Sequence, residues 1–190
     1  PISQSGFLLI FGTGSYATRE DARNTDIQSI YGIWDRDETL PATANGSREQ
    51  RLVEQTLVNV LDTGTTPQET KRVFRNTDAV EYRPDRRDCS SGTCVTEPGT
   101  YGWYVDLDLP AASLTSGGQA IAGVSTAPQY PGERAIRRII ERNGALVTTT
   151  VLPALDEFSC YGTRPGAVLV LSALTGGDAG QPLIDFNNDG

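Results

Sequence analysis

Histidine is absent from the 190 residues. That excludes Ser-His-Asp and Cys-His nucleophile systems and every His-ligated metal site. Acid-base chemistry would have to rest on carboxylates, tyrosine, cysteine or Lys71, the only lysine. Methionine is absent too and the chain starts at Pro1, so it reads as a processed or excised piece of something longer. No apolar run approaches the ~20 residues that span a bilayer, so no membrane span is expected. No signal peptide is visible. Positive charge is scarce: 16 Lys and Arg face 24 Asp and Glu, for a net charge of −8. An acidic surface repels phosphate backbones, so nucleic acid is not an expected partner.

Cysteine is scarce, but its spacing is informative. "CSSGTC" sets Cys89 and Cys94 five apart with Gly92 between them. Such a segment can turn back and bring the two sulfurs together. A metal site is the rival reading and lacks ligands. A disulfide implies an oxidising compartment. Cys160 is left over, either as a buried thiol or with a partner elsewhere.

Glycine (20) and proline (11) are plentiful, and hydrophobic content is a modest 37%. With much Thr, Ser and Val, this suits strands joined by many turns better than a helical bundle. The length allows one good core or two small ones. "FLLIF" (7–11) reads as a buried strand running into Gly12-x-Gly14. A dinucleotide fingerprint would need a third glycine where Ala17 stands, so a strand leaving through a glycine turn is the better reading. "IQSIYGIWD" and "GTYGWYVDLDLP" are strand candidates. In the second, Tyr104, Asp106 and Asp108 alternate against Trp103, Val105, Leu107 and Leu109. "TKRVFRNTDAVEYRP" suggests strand, turn, strand. "RLVEQTLVNVLD" fits a helix or a strand equally. Asn143-Gly144 suits a type I′ hairpin turn before "LVTTTVL". "GAVLVLSALTGG" adds a strand and turn. Asn45-Gly46-Ser47 is a formal glycosylation sequon. About eight or more short strands with no long helix point to an all-β sandwich, barrel or propeller. "IYGIWD" and "TYGWYVD" are faintly alike, as repeated propeller blades would be.

Taken in order, "FGTGSY", "YGIWD", "LVEQT", "YGWYVDLDLP", "GERAI", "CYGTRPGAVLVLSALTGG" and "DFNNDG" resemble the C-terminal β-propeller domain of the PilY family of type IV pilus tip proteins. The likeness spans nearly the whole chain. It implies that residues 1–190 are part of a modified, PQQ-dehydrogenase-like β-propeller of four-stranded antiparallel blades with long loops between strands. It turns "RLVEQTLVNV" and "RAIRRIIER" into strands. It also implies a secreted protein, exported through the periplasm to the pilus tip of a Gram-negative bacterium. There the family supports pilus assembly, opposes retraction and contributes to surface adhesion. The implied partners are minor pilins, the protein's own N-terminal adhesion domain, and a host or abiotic surface. The closing blades and that N-terminal domain, often von Willebrand A-like, are expected to lie outside this piece. No Asp-x-Ser-x-Ser motif occurs.

The last residues, "DFNNDG", carry Asp185, Asn187 and Asp189 at positions 1, 3 and 5 of a calcium loop, and Gly190 at the sharp turn of position 6. Alternate oxygen ligands present themselves to a hard cation without crowding. An Asx-rich turn explains the same residues. The resemblance favours Ca2+, since the family carries such a site in this part of the propeller. With the later ligands missing, affinity in this piece should be weak or lost. Asp21, Asn24 and Asp26 form a thinner second candidate. Asp35, Asp37, Asp106, Asp108, Asp156 and Glu157 are expected to cap turns or face solvent. Two other functions stand beside the non-enzymatic pilus reading. One is a quinoprotein-like propeller dehydrogenase, although no residue set marks a cofactor pocket. The other is a surface carbohydrate-binding β-domain using Trp34, Trp103 and Tyr101, aromatics that fit a blade core better.

Overall fold

The computed structural model describes residues 6–36, 48–62, 69–74, 77–90, 92–107, 115–116, 119–120, 131–153 and 166–180. Among them the elements run β1 (Phe7–Gly12), α1 (Arg19–Arg23), β2 (Ser29–Asp35), α2 (Arg48–Arg51), β3 (Leu52–Gln55), β4 (Leu57–Asp62), β5 (Glu69–Phe74), β6 (Arg86–Asp88) and β7 (Val95–Glu97), followed by β8 (Gly102–Asp106), β9 (Thr115–Ser116), β10 (Gln119–Ala120), β11 (Ile140–Arg142), β12 (Ala145–Thr149) and β13 (Val168–Ser172). The all-β expectation holds. "RLVEQTLVNVLD" resolves as two strands, β3 and β4, separated by Thr56. Its β-branched residues prefer the extended chain once a sheet edge is available. "RAIRRIIER" is strand only in part: a bridge joins Arg134 to Val151, the chain bends at Arg137, and regular strand appears only in β11. In "TKRVFRNTDAVEYRP" the first strand forms as β5. The second is reduced to a single bridge, Arg83 to Thr100. Pro84 follows that bridge and has no N–H to extend a ladder.

Two sheets make the core. One is four-stranded, in the order β1-β2-β8-β3; the other is β11-β12-β13. Ile30, Trp103 and Val105 of the first pack with Leu146, Leu169 and Leu171 of the second, and Leu57, Leu107, Ala135 and Ala173 complete the cluster. β2 pairs antiparallel with both β1 and β8, but β3 pairs with β8 in parallel, so the expected all-antiparallel blade is corrected here. The reason lies where the two strands start. Tyr101 N–H donates to Arg51 C=O at 2.8 Å, so β3 and β8 begin side by side and run the same way.

The faint repeat is also reassigned. "IYGIWD" and "TYGWYVD" form β2 and β8, which are partners in one sheet rather than equivalent strands of two blades, with Gly32 opposite Trp103. A Cβ on Gly32 would overlap the Trp103 indole near Nε1, and one on Gly176 (φ +71°) would overlap it near Cε3. Both glycines are there for close approach. The Asn143-Gly144 turn has φ of 52° and 80°, the pair of positive values that a type I′ turn requires, and it joins Arg142 directly to Ala145. Cys89 and Cys94 form the disulfide across the β6–β7 hairpin. No helix among the described residues is long and apolar enough to cross a membrane.

Candidate functional site

Asp185, Asn187 and Asp189 lie outside the described residues, as do Cys160, Asp37, Asp108, Asp156, Glu157 and the Asn45 sequon. Among the described residues, no group of three or more His, Cys, Asp or Glu converges to hold a metal.

The second acidic candidate resolves into a loop held by an arginine. β1 leaves through Thr13, whose N–H donates to Ser29 C=O at 2.8 Å, and Gly14 takes φ of 103°. The Asp21 carboxylate accepts from the N–H groups of Ala17 (2.8 Å) and Thr18 (2.9 Å) and from the Ser15 hydroxyl (3.0 Å). Thr18 Oγ1 accepts from Asp21 N–H, which completes a capping box on α1. The two backbone hydrogen bonds, from Ala17 and Thr18, hold the Asp21 carboxyl below its ordinary value. Asn24 Oδ1 closes a short turn by accepting from Asp26 N–H at 2.7 Å. The backbone carbonyls of this loop then converge on a cation. The Arg134 guanidinium, 1% exposed, donates to the carbonyls of Ser15 (2.6 Å), Asp21 (2.8 Å), Asn24 (2.6 Å) and Gly132 (2.7 Å). A planar fork of five donors satisfies four carbonyls at once. The oxygen-rich loop is therefore filled by protein rather than open to a metal. Sequence reasoning missed Arg134; the only hint was a charged residue leading the apolar pair Ala135-Ile136.

This fastened loop forms one rim of an open groove of about 690 Å3. One wall is the end of β1 (Ile10, Phe11, Gly12); the other is the segment Ala135–Ile139, which leads from the Arg134 bridge to β11. Phe11, Tyr16 and Ile136 are exposed in it, as are the Arg137 and Arg138 side chains. The groove touches none of the residues singled out from the sequence as ligands, apart from the loop that Asp21 ties down.

A third cluster lies on the outer face of the four-stranded sheet. Arg48 donates to both Asp106 oxygens, at 2.9 and 2.7 Å, and to the hydroxyls of Tyr31 (2.9 Å) and Ser29 (3.1 Å). Its guanidinium lies 4.2 Å over the Tyr104 ring. Burial and the neighbouring Glu54 charge push the Tyr104 hydroxyl well above the ordinary tyrosine range. Asp106 is thus a sheet-bracing ion-pair partner and not a solvent-facing carboxylate, because Arg48 arrives over it from α2. Trp34 and Trp103 are fully buried and Tyr101 nearly so, which leaves none of the three as a platform for a sugar.

With strands, turns and buried tryptophans placed, residues 2–70 match the family model described as the PilY1 beta-propeller domain. The described structure is all-β, which agrees with the β-propeller that this family model names. More particularly, the chain is similar to the PilY1 pilus biogenesis factors. It is 29% identical to a type IV pilus biogenesis factor PilY1 homolog of Xylella fastidiosa over 182 residues, 96% of this chain and 11% of that protein. It is 29% identical to the type IV pilus biogenesis factor PilY1 of Pseudomonas aeruginosa over 115 residues, 56% of this chain and 9% of that protein. A second Xylella fastidiosa homolog is 25% identical over 92% of this chain and 9% of its own length. The chain therefore spans about a tenth of the length of these relatives. No solved structure matches it significantly.

Proposed function

We propose that this chain is a non-enzymatic, calcium-binding section of a type IV pilus tip component of a Gram-negative bacterium. It supports pilus assembly, the balance of extension and retraction, and surface adhesion. The observation that carries the reading is continuous similarity to a pilus biogenesis factor over 96% of the chain. The Cys89–Cys94 disulfide is consistent with export into an oxidising compartment. Minor pilins and the protein's own N-terminal region are the proposed partners. Asp185, Asn187 and Asp189 are the proposed Ca2+ ligands, supported by their alternate spacing ahead of Gly190.

The test is calcium titration of the full-length protein by calorimetry, beside an Asp185→Ala/Asp189→Ala double variant, with both proteins assayed for surface pili. A site lost in the variant together with altered piliation supports the reading. Equal calcium binding in both proteins returns "DFNNDG" to a plain turn. Unchanged pili when the whole 1–190 region is disrupted would remove the pilus role.

A further inference from the structure

Three features of the groove beside β1 specify a ligand. The first is a strand edge. Among the described strands β1 pairs with β2 alone, so its other edge is unpaired, with Ala135 set against it at the Gly12 end. Ile10 and Phe11 point to opposite faces of the strand, yet both line the groove. The groove therefore runs along the edge instead of over one face. The second feature is charge. Arg137 and Arg138 are exposed, and no carboxylate lies within ion-pair reach of either among the described residues, in a chain whose net charge is −8. The third is the apolar remainder of the lining: Ile10, Phe11, Ile136 and Ile139. Arg134 and Asp21 hold the rim in place before any ligand arrives, which lowers the ordering cost of binding.

We infer that this groove binds an extended acidic peptide segment of a partner protein. The segment pairs its main chain with the free edge of β1 and sets its carboxylates on Arg137 and Arg138. Strand addition supplies affinity through main-chain hydrogen bonds, and alternate side chains supply specificity. The guanidinium fork matches a carboxylate in two parallel bonds. An extended segment alternating acidic and apolar residues offers both sets of contacts from its two faces. An anionic polysaccharide would use the arginines but would leave the strand edge and the exposed Phe11 and Ile136 idle, so a peptide is favoured. The inference is independent of the calcium reading.

The experiment is fluorescence anisotropy with a labelled synthetic peptide alternating Glu and Val. Its Lys-Val counterpart, the same Glu-Val peptide N-methylated on alternate residues, and polygalacturonate serve as comparisons. Binding of the Glu-Val peptide is expected, at least about tenfold weaker to an Arg137→Glu/Arg138→Glu variant. The Lys-Val and N-methylated peptides should not bind. An Arg137→Gln/Arg138→Gln variant, checked by circular dichroism against the parent, guards against misfolding and should also lose affinity. The inference is overturned by absent Glu-Val binding, by binding indifferent to both arginines, or by undiminished binding of the N-methylated peptide. Polygalacturonate binding through the arginines without peptide binding would make the site a glycan groove instead.

Discussion

The two flanks of the four-stranded sheet are built differently. On the β8–β3 flank three side chains reach across the sheet junction and find polar partners there. Gln55, fully buried, donates to Asp78 C=O (2.7 Å) and Thr175 C=O (3.0 Å) and accepts from Asp78 N–H (2.9 Å). Tyr82 donates to Leu174 C=O at 2.6 Å, and Trp103 Nε1 to Ala173 C=O at 3.2 Å. Burial pushes the Tyr82 hydroxyl up to about 12. These three side chains clasp the turn after β13 and lock the two sheets together. On the β1 flank Phe7 is 76% exposed, Leu9 50% and Phe11 45%. Those residues are as apolar as the core, but no described element covers them. Hydrophobicity alone does not bury a strand face; a second layer has to arrive.

The contrast can be broken by measurement. The largest effect is expected from Trp103→Ala. Removing a buried indole packed against two glycines should cost about 3–5 kcal/mol, read as a shift in the urea midpoint. A loss no larger than that of Phe11→Ala would mean that the two flanks are equivalent. Next is Arg134→Ala, which removes four hydrogen bonds to carbonyls, one buried and three part-buried, and should cost about 2–4 kcal/mol. Hydrogen exchange at the Ala17 and Thr18 amides should accelerate in step. Arg134→Lys should not restore their protection, since one ammonium cannot reach all four oxygens. Replacing both cysteines, Cys89→Ser with Cys94→Ser, should cost about 2 kcal/mol at most. The loop is short and its hairpin stands exposed, so protection should fall in β6 and β7 and not in β8.

Smaller still is a pH effect at Asp85. Burial raises its pKa, but the Arg51 guanidinium and the Gly99 N–H outweigh it and leave the carboxyl below its ordinary value of 3.8. A depressed carboxyl stabilises the fold above the unfolded value, and that contribution disappears as pH falls through the folded one. Asp85→Asn should therefore lose stability at neutral pH and show a flatter acid limb below about pH 4. Parallel acid limbs in the variant and the parent would remove Asp85 as the cause. The smallest change is expected from Leu9→Thr on the open face, within about 0.5 kcal/mol in thermal melts. A larger loss would mean that something covers β1.

Much of the strand content was legible because period-2 patterning is local. Trp103, Val105 and Leu107 against Tyr104 and Asp106 assigned both faces of β8 correctly. The Asn143-Gly144 turn and the Cys89–Cys94 loop were legible because each depends on a handful of adjacent residues. "RLVEQTLVNVLD" was not, because its periodicity fits both states and a sheet edge elsewhere decided it. Asp106 was misjudged because its partner, Arg48, lies 58 positions away. The groove was invisible for the same reason: its walls come from residues 10–12 and 135–139, and no local pattern announces their meeting.

The sequence by itself determined an all-β chain, its hairpin turn, its disulfide, the absence of histidine chemistry and its likeness to the PilY1 proteins. These follow from side-chain type, spacing and backbone preference over short distances. Tertiary structure alone decided the parallel pairing of β3 with β8, the reassignment of two similar segments as partners in one sheet, and the filling of an oxygen-rich loop by Arg134. It also decided which apolar strand became core and which became an open edge. Those outcomes depend on which distant segments meet, and a buried guanidinium or an uncovered phenylalanine is defined only by its neighbours in space.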